Sequence, residues 1–269
     1  MTPSSIAIWI DAVRAAESGP ALLTFLTNRL ARPHEEGPAL DDRRGEGAEE
    51  IFEEIARQDE EFRLRLEETI AAYFKSSEAS PTSDPARPVL RGMLEIVSRL
   101  SLAGAFTPLR AWLQQHAPTL AADPKAVLGR AVLAALATSQ PTGLTDGRDF
   151  WLRWWREGPP AWQPRAFHGL RLQDPKTAAG ELPLLMERAE EQNHDPGPLL
   201  QGMWLQPGAR PALLAWLEDA SNVWAEKAKQ ALRRRLPDTE LDQLRDPRKP
   251  PRRALRSLAA PGRPWECRE

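Results

Sequence analysis

The chain has 269 residues, of which 41% are hydrophobic and 28% charged, and its formal net charge is -2. This length and balance permit a sizeable core, exclude wholesale disorder, and give no global attraction to nucleic acid or anionic membranes. The single cysteine, Cys267, excludes an intramolecular disulfide framework and a zinc site built from several cysteines. No apolar run approaches the roughly 18 residues that span a bilayer. Because no signal-peptide pattern is visible either, we expect a cytoplasmic protein.

Apolar residues recur with helical spacing along nearly the whole chain, and no stretch alternates convincingly with the period of two that a strand requires. Asp-Pro pairs begin at residues 84, 123, 174, 195 and 246. Such pairs mark helix starts, because Asp accepts free N–H groups of the first turn and proline there loses only a donor without a partner. We therefore predict an all-α fold whose prolines separate its helices.

The N-terminal part, residues 1–75, is predicted to form a small helical unit. Its helices are expected near residues 5–17, 20–31 and 48–74, and the last is long, with i,i+4 ion pairs such as Asp59 with Arg63 on its outer face. Residues 76–88 are rich in Ser and Pro, a composition typical of connecting segments. We predict that they form a linker between two domains.

A short phrase of Leu, Trp and Arg recurs in the second half of the chain. It occurs at 109–113, 151–155 and 213–217, with a weaker copy at 182–186. Corresponding positions are 42, 31 and 31 residues apart. One helix pair in each such interval is typical of a helical-repeat array, in which every unit buries its apolar face on its neighbours. We predict a HEAT-like array of antiparallel helix pairs over residues 89–245.

The densest aromatic cluster lies at residues 150–162. On a helix, Phe150, Trp151, Trp154 and Trp155 share one face. A single wide stripe of this kind favours a core layer between repeats. Trp and Arg together are also the residues that protein-binding hot spots favour, so some of the rings can instead edge a groove. The predicted partner-binding residues of this cluster are Trp151, Arg153, Trp155, Arg156 and Trp162.

The C-terminal tail, residues 246–269, is basic and rich in proline, and we expect it to be flexible. Residues 245–264 carry a net charge of +6, whereas residues 35–68 carry -9. These oppositely charged segments can pair within one molecule or between two, or each can bind a separate partner. They can also stay independent, because the attraction between distant exposed charges is screened. The tail itself is interpreted as a free end, a peptide that orders on a partner, or an arm for nucleic-acid phosphates. Arg252 and Arg253 are its predicted contacts.

Motifs for catalysis and metal binding are missing from the sequence. The four histidines lie at least 26 residues apart, so none forms a metal-binding pair with helical spacing. A P-loop, Gly-x-Ser-x-Gly and Gly-x-Gly-x-x-Gly are absent as well. The polar trio Asn193, His194 and Asp195 is better explained as a helix cap than as a positioned catalytic base. We expect a protein without enzymatic activity, metal or cofactor.

These features favour a regulatory protein whose helical surface binds, positions or inhibits a partner protein. The predicted linker would let its two parts move or be cut apart. A role in a bacterial stress or defence operon is a hypothesis that no particular residue supports. The alternative is a nucleic-acid-binding regulator that uses residues 233–235 and the basic tail. A steep loss of affinity with salt would distinguish that alternative.

Overall fold

The computed structural model describes residues 19–31, 48–82, 86–123, 127–141, 146–237, 240 and 244. Within these ranges the protein is 78% helix, with thirteen α-helices, one 3-10 turn and no strands. The all-α prediction is confirmed. The first predicted helix, near residues 5–17, and the tail 246–269 lie outside the described residues.

The chain divides into two compact units, residues 1–173 and 174–269. The described helices of unit 1 are α1 Gly19–Ala31, α2 Ala48–Gln58, α3 Glu60–Lys75, α4 Ala86–Leu100, α5 Phe106–Ala121, α6 Val127–Ser139, α7 Gly147–Glu157 and α8 Gln163–Gln173. The 3-10 turn Ala103–Ala105 leads into α5. The described helices of unit 2 are α9 Pro175–Gly180, α10 Leu182–Glu191, α11 Gly197–Leu205, α12 Arg210–Glu218 and α13 Ala225–Arg233.

The long helix predicted at 48–74 is two helices, because Asp59 interrupts it. Asp59 has an extended backbone (φ -132°, ψ 102°), and its carboxylate accepts a hydrogen bond from the backbone N–H of Phe62 at 3.0 Å. Its side chain therefore caps the start of α3. The predicted ion pair of Asp59 with Arg63 is not formed, and Arg63 pairs with Glu60 at 3.4 Å instead.

Asp-Pro pairs precede helices where the structure describes them fully. Asp174 accepts hydrogen bonds from the backbone N–H and the hydroxyl of Thr177, at 3.0 and 2.6 Å, and Pro175 occupies the first turn of α9. Asp195 accepts from the N–H of Gly197 at 2.9 Å, at the start of α11. The other three pairs include residues outside the described ranges.

Unit 1 is organised around α4, α6 and α8, which pack in series. Helix α4 contacts α6 and α6 contacts α8, while α5 packs on α6 and α7 packs on α8. The preceding helices join the same core, since α1 and α2 pack against α4 and α3 packs against α5. The core residues of α4, each at most 5% exposed, are Val89, Leu90, Met93, Leu94, Ile96 and Val97.

The two compact units differ from the predicted domains, in which residues 76–88 separated 1–75 from 89–245. Helices before and after that segment share one core, and the division lies between Gln173 and Asp174. The segment is also attached to neighbouring helices. The Trp112 indole N–H donates to the carbonyl of Ala79 at 2.6 Å, and Arg87 donates to that of Pro81 at 3.3 Å. Ser and Pro mark a turn in the backbone, but they do not reveal whether the flanking helices pack together.

In unit 2, α13 packs against α11 and α12, and α12 also contacts α9. Trp204 of α11 is fully buried, and its indole N–H donates to the carboxylate of Glu240 at 3.0 Å. Arg210 pairs with the same carboxylate at 2.6 Å. A second ion pair, also at 2.6 Å, joins Asp195 to Arg235. These two links attach the chain beyond α13 to the helices before it.

Candidate functional site

A cavity of about 810 Å³ lies along the first half of α5, beside the end of α3 and residues 76–80. We call it the α3–α5 groove. Its volume falls in the range of pockets that hold small molecules or parts of a bound chain. The lining residues used below are Phe74, Ser77, Thr107, Trp112, Gln115 and His116.

Trp112 lies at the base of this groove and is only 2% exposed. Its indole N–H is held by the Ala79 carbonyl, as described above. The rings of Phe74 and His116 flank it, with centroids 5.6 and 4.9 Å from the centroid of the indole. Contacts on these sides fix the orientation of the ring, so the base of the groove is preformed.

The rim of the groove carries hydrogen-bonding side chains. Among the described residues, those of Ser77, Thr107 and Gln115 have no hydrogen-bond partner. Hydroxyl and amide groups both donate and accept, so they can pair with the N–H and C=O groups of an extended chain. Lys75 adds a positive charge at one end of the groove.

His116 contributes polarity to the groove without adding a charge. Burial lowers the pKa of His116 below its ordinary value. The imidazole is therefore neutral at pH 7, with one nitrogen that donates and one that accepts. In this state it resembles the amide of Gln115 in its ability to bind polar groups of a ligand.

A second cavity, of about 220 Å³, lies at the other end of α5, where α4 and α6 approach it. We call it the arginine pocket. Its apolar lining consists of Pro81, Leu120, Val127, Leu128 and Ala131, and its polar lining of Arg87, Arg91, Thr119 and Asp123. Val127 is 40% exposed, so the apolar part of the pocket is accessible to solvent.

Both cavities lie against α5. The groove is lined by Thr107, Ala111 and Gln115, and the pocket by Thr119. Each of these residues is four positions after the previous one, so they follow one stripe along the helix surface. Residues 79–81 contribute to both cavities, since Ala79 lines the groove and Pro81 lines the pocket.

The predicted aromatic cluster is buried in unit 1. Trp151, Trp155 and Trp162 are 0%, 2% and 0% exposed. Their large rings therefore fill the core between helices, in agreement with the core-layer interpretation of the aromatic stripe. Since neighbouring helices enclose these rings, little of their surface is exposed to a partner. A partner-binding role for Trp151, Trp155 and Trp162 stays a prediction.

Two glycines allow these rings to lie directly against helix backbones. A Cβ atom at Gly129 would overlap the Trp162 ring, and one at Gly169 would lie 2.5 Å from the Trp151 ring. The indole N–H of Trp151 donates to Gln140 at 2.8 Å. That of Trp162 is buried without a hydrogen-bond partner among the described residues. The Trp162 ring is thus held by close packing and not by a described hydrogen bond.

The predicted arginines are placed differently from the tryptophans. The Arg153 side chain is 67% exposed and lies 4.0 Å from the Glu157 carboxylate. Arg156 is also exposed and has an interaction of its own. Arg252 and Arg253 lie outside the described residues. A partner-binding role for these four arginines stays a prediction.

Sequence reasoning did not single out the residues of the two cavities. Trp112 was noted only as part of the recurring phrase, and Arg87 and Arg91 not at all. One signal was available. Thr107, Ala111 and Gln115 place small or hydrogen-bonding side chains next to Trp112 on α5, where a fully buried helix would carry larger apolar residues.

The fold and its cavities define an all-helical protein with a groove and a smaller pocket along one helix. No known protein family, curated protein or solved structure matches this chain. Within the described ranges, no helix combines the length and apolar character needed to cross a membrane. In the same part of the chain, no group of three or more His, Cys, Asp or Glu side chains could hold a metal ion.

Proposed function

We propose that this is a non-enzymatic protein that binds, positions or inhibits a partner protein, holding an extended segment of it in the α3–α5 groove. The observation that carries the proposal is the composition of this groove. It combines a buried aromatic base at Trp112 with hydroxyl and amide groups at its rim that have no hydrogen-bond partner among the described residues. A regulatory role in a bacterial stress or defence operon stays a prediction.

The lining of the groove suits an extended chain. The backbone of such a chain presents a donor and an acceptor at every residue other than proline, and Ser77, Thr107 and Gln115 can satisfy several of them. Apolar side chains of the same segment can contact the exposed Ala111, while Trp112 forms the floor of the groove beneath them.

The packing of unit 1 supports a HEAT-like arrangement as part of this proposal. Helices α4, α6 and α8 contact one another in series, with α5 and α7 packed beside them. Arrays of this kind stack helix pairs side by side and use the extended surface between neighbouring helices to bind other chains. The α3–α5 groove is such a surface, because α3 and α5 are neighbours in the stack.

The test is site-specific photo-crosslinking in cells, with a benzophenone amino acid placed at Gln115. We expect a partner protein to be crosslinked at Gln115, since this exposed residue lines the groove. A second probe at Arg153 tests the contact predicted from the sequence. A third at Ala72, exposed on α3 but not in the groove lining, is the matched control. Each crosslinked peptide would be identified by mass spectrometry.

A groove-filling substitution completes the test. Ala111→Trp places a large ring where the groove is open, and Ala111 is exposed, so we expect the fold to tolerate it. The crosslink from Gln115 should then disappear while the circular dichroism spectrum is unchanged. Equal crosslinking from Gln115 and Ala72, or a crosslink that survives Ala111→Trp, would contradict the proposed groove.

A further inference from the structure

We propose that the arginine pocket holds one large apolar side chain of the partner segment, and that the residues flanking this side chain are acidic. The inference deepens the proposed function and rests on it. It identifies the partner by its chemistry, as a segment with an apolar anchor residue between carboxylates.

The size of the pocket selects a single side chain. Its volume of about 220 Å³ corresponds to roughly seven water molecules at their volume in the liquid. Pockets for whole drug-sized ligands begin at roughly 300 Å³. The walls formed by Leu120, Leu128 and Ala131 are apolar, so the side chain that fits is aliphatic or aromatic.

The charge at the rim selects acidic neighbours for that side chain. Arg91 is exposed and has no hydrogen bond or ion pair with any described residue. Arg87 donates its Nε–H to the carbonyl of Pro81, which leaves four further N–H groups on the guanidinium. Asp123 lies on the same rim and has an interaction of its own, so the three groups together carry a charge of +1.

The position of the pocket places it next to the groove along α5. Gln115 at the end of the groove and Thr119 at the start of the pocket are one helical turn apart on α5, which corresponds to about 6 Å along the helix axis. Two residues of an extended chain cover this distance. A segment bound in the groove can therefore extend along α5 as far as the pocket.

The experiment uses the full chain and four fluorescein-labelled nonapeptides. The first has one phenylalanine between four glutamates on each side. In the second, alanine replaces the phenylalanine. In the third and fourth, glutamine and lysine replace the glutamates. We expect only the first to bind well by fluorescence polarisation, and the alanine peptide to bind at least about tenfold more weakly, because a buried anchor residue dominates such interfaces.

Three variants assign the binding to the pocket. Arg91→Glu reverses the charge of an exposed residue, and we expect about tenfold weaker binding, an effect that shrinks as salt is raised. Ala131→Leu fills the apolar part of the pocket and should abolish the advantage of phenylalanine over alanine. Arg148→Glu changes an exposed arginine on α7 outside both cavities and is the matched control. Equal binding of the acidic and glutamine peptides, or an equal effect of Arg148→Glu, would overturn the inference.

Failure of this inference can be told apart from failure of the proposed function. The Gln115 crosslink is repeated in the Arg91→Glu background. If the partner is crosslinked equally with and without Arg91→Glu, the groove binds it and the arginine pocket does not. If the partner is crosslinked in neither background, the proposed function itself is wrong. If the crosslink forms without the substitution but is lost in Arg91→Glu, both the proposed function and the inference about the arginine pocket are supported.

Discussion

Trp112 and Trp162 are both buried tryptophans of unit 1, but their indole N–H groups differ in hydrogen bonding. The indole N–H of Trp112 donates to the Ala79 carbonyl at 2.6 Å. The indole N–H of Trp162 is buried without a hydrogen-bond partner among the described residues. The polar end of one ring therefore attaches residues 76–82 to α5, whereas the other ring contributes through packing alone.

This difference predicts unequal effects of the same substitution. In Trp112→Phe, a buried carbonyl loses its donor, which costs about 1 to 3 kcal/mol in addition to the smaller ring. Trp162→Phe removes a similar amount of ring without breaking a described hydrogen bond. We expect a lower free energy of unfolding for Trp112→Phe, measured by urea denaturation, and faster hydrogen exchange in residues 76–82. Equal losses in the two variants would mean that the Ala79 contact adds little stability.

His168 makes the stability of the protein depend on pH. Desolvation by burial, followed by the positive charges of Arg171 and Arg165, lowers the pKa of His168 from 6.5 to about 4. Between these two values the unfolded chain binds more protons than the folded one, so stability falls as the pH falls. The loss amounts to about 1 to 3 kcal/mol and is complete near pH 4.

The corresponding variant is His168→Gln, which keeps a hydrogen-bond acceptor near Arg171 but does not titrate. Urea denaturation at each pH measures the free energy of unfolding. Between pH 6.5 and pH 5, we expect this free energy to decline less in the variant than in the wild type. The exposed His194→Gln is the control and should keep the wild-type slope. If His168→Gln leaves the pH dependence of the unfolding free energy unchanged, another group is responsible for that dependence.

At the level of single elements, the boundary between α2 and α3 depends on one capping side chain. Asp59→Ala removes the acceptor for the Phe62 N–H and should lower the free energy of unfolding by about 0.5 to 2 kcal/mol. Asp59→Ser keeps an oxygen that can accept the same bond and should retain most of the stability. Thermal denaturation of the two variants measures the difference. If alanine and serine behave alike, the cap is not what stabilises this boundary.

The helices of this protein were largely predictable, and their ends were less so. Helical spacing of apolar residues predicted the all-α fold, and Asp174 with Pro175 predicted a start that the structure confirms. The break at Asp59 was missed, because the apolar spacing of the chain continues through it. Asp59 is followed by Glu60 and lacks the proline that marked Asp174, so the sequence does not distinguish it from an aspartate inside a helix.

The cavities along α5 were not predictable for a different reason. A helical wheel groups Trp112 with Ala111 and Gln115, but it does not state which neighbouring helices leave that face uncovered. By contrast, the sequence correctly predicted that the aromatic residues at 150–155 share one face of a helix. This face is buried against α8, where Gly169 leaves room for the Trp151 ring. Such close approaches involve residues distant in sequence, which periodicity does not detect.

At the level of the whole molecule, the shared core of α1 to α5 determines where the chain can be divided. A fragment of residues 1–173 retains all the described helices of unit 1, and we expect it to unfold cooperatively when followed by circular dichroism. A fragment of residues 1–75 lacks α4 and α5, against which its own helices pack, and should show little helix and no cooperative transition. Cooperative unfolding of the shorter fragment would instead support the domain boundary predicted at 76–88.

The serial packing of unit 1 also bears on how the chain reaches its fold during synthesis. Each principal contact between the described helices of this unit joins helices no more than three places apart in the chain. Contacts of short sequence separation favour rapid folding, because little loop entropy is lost before they form. The helices of this unit therefore leave the ribosome within a short interval of their packing partners, and their apolar faces can be covered before the remainder of the protein has been translated.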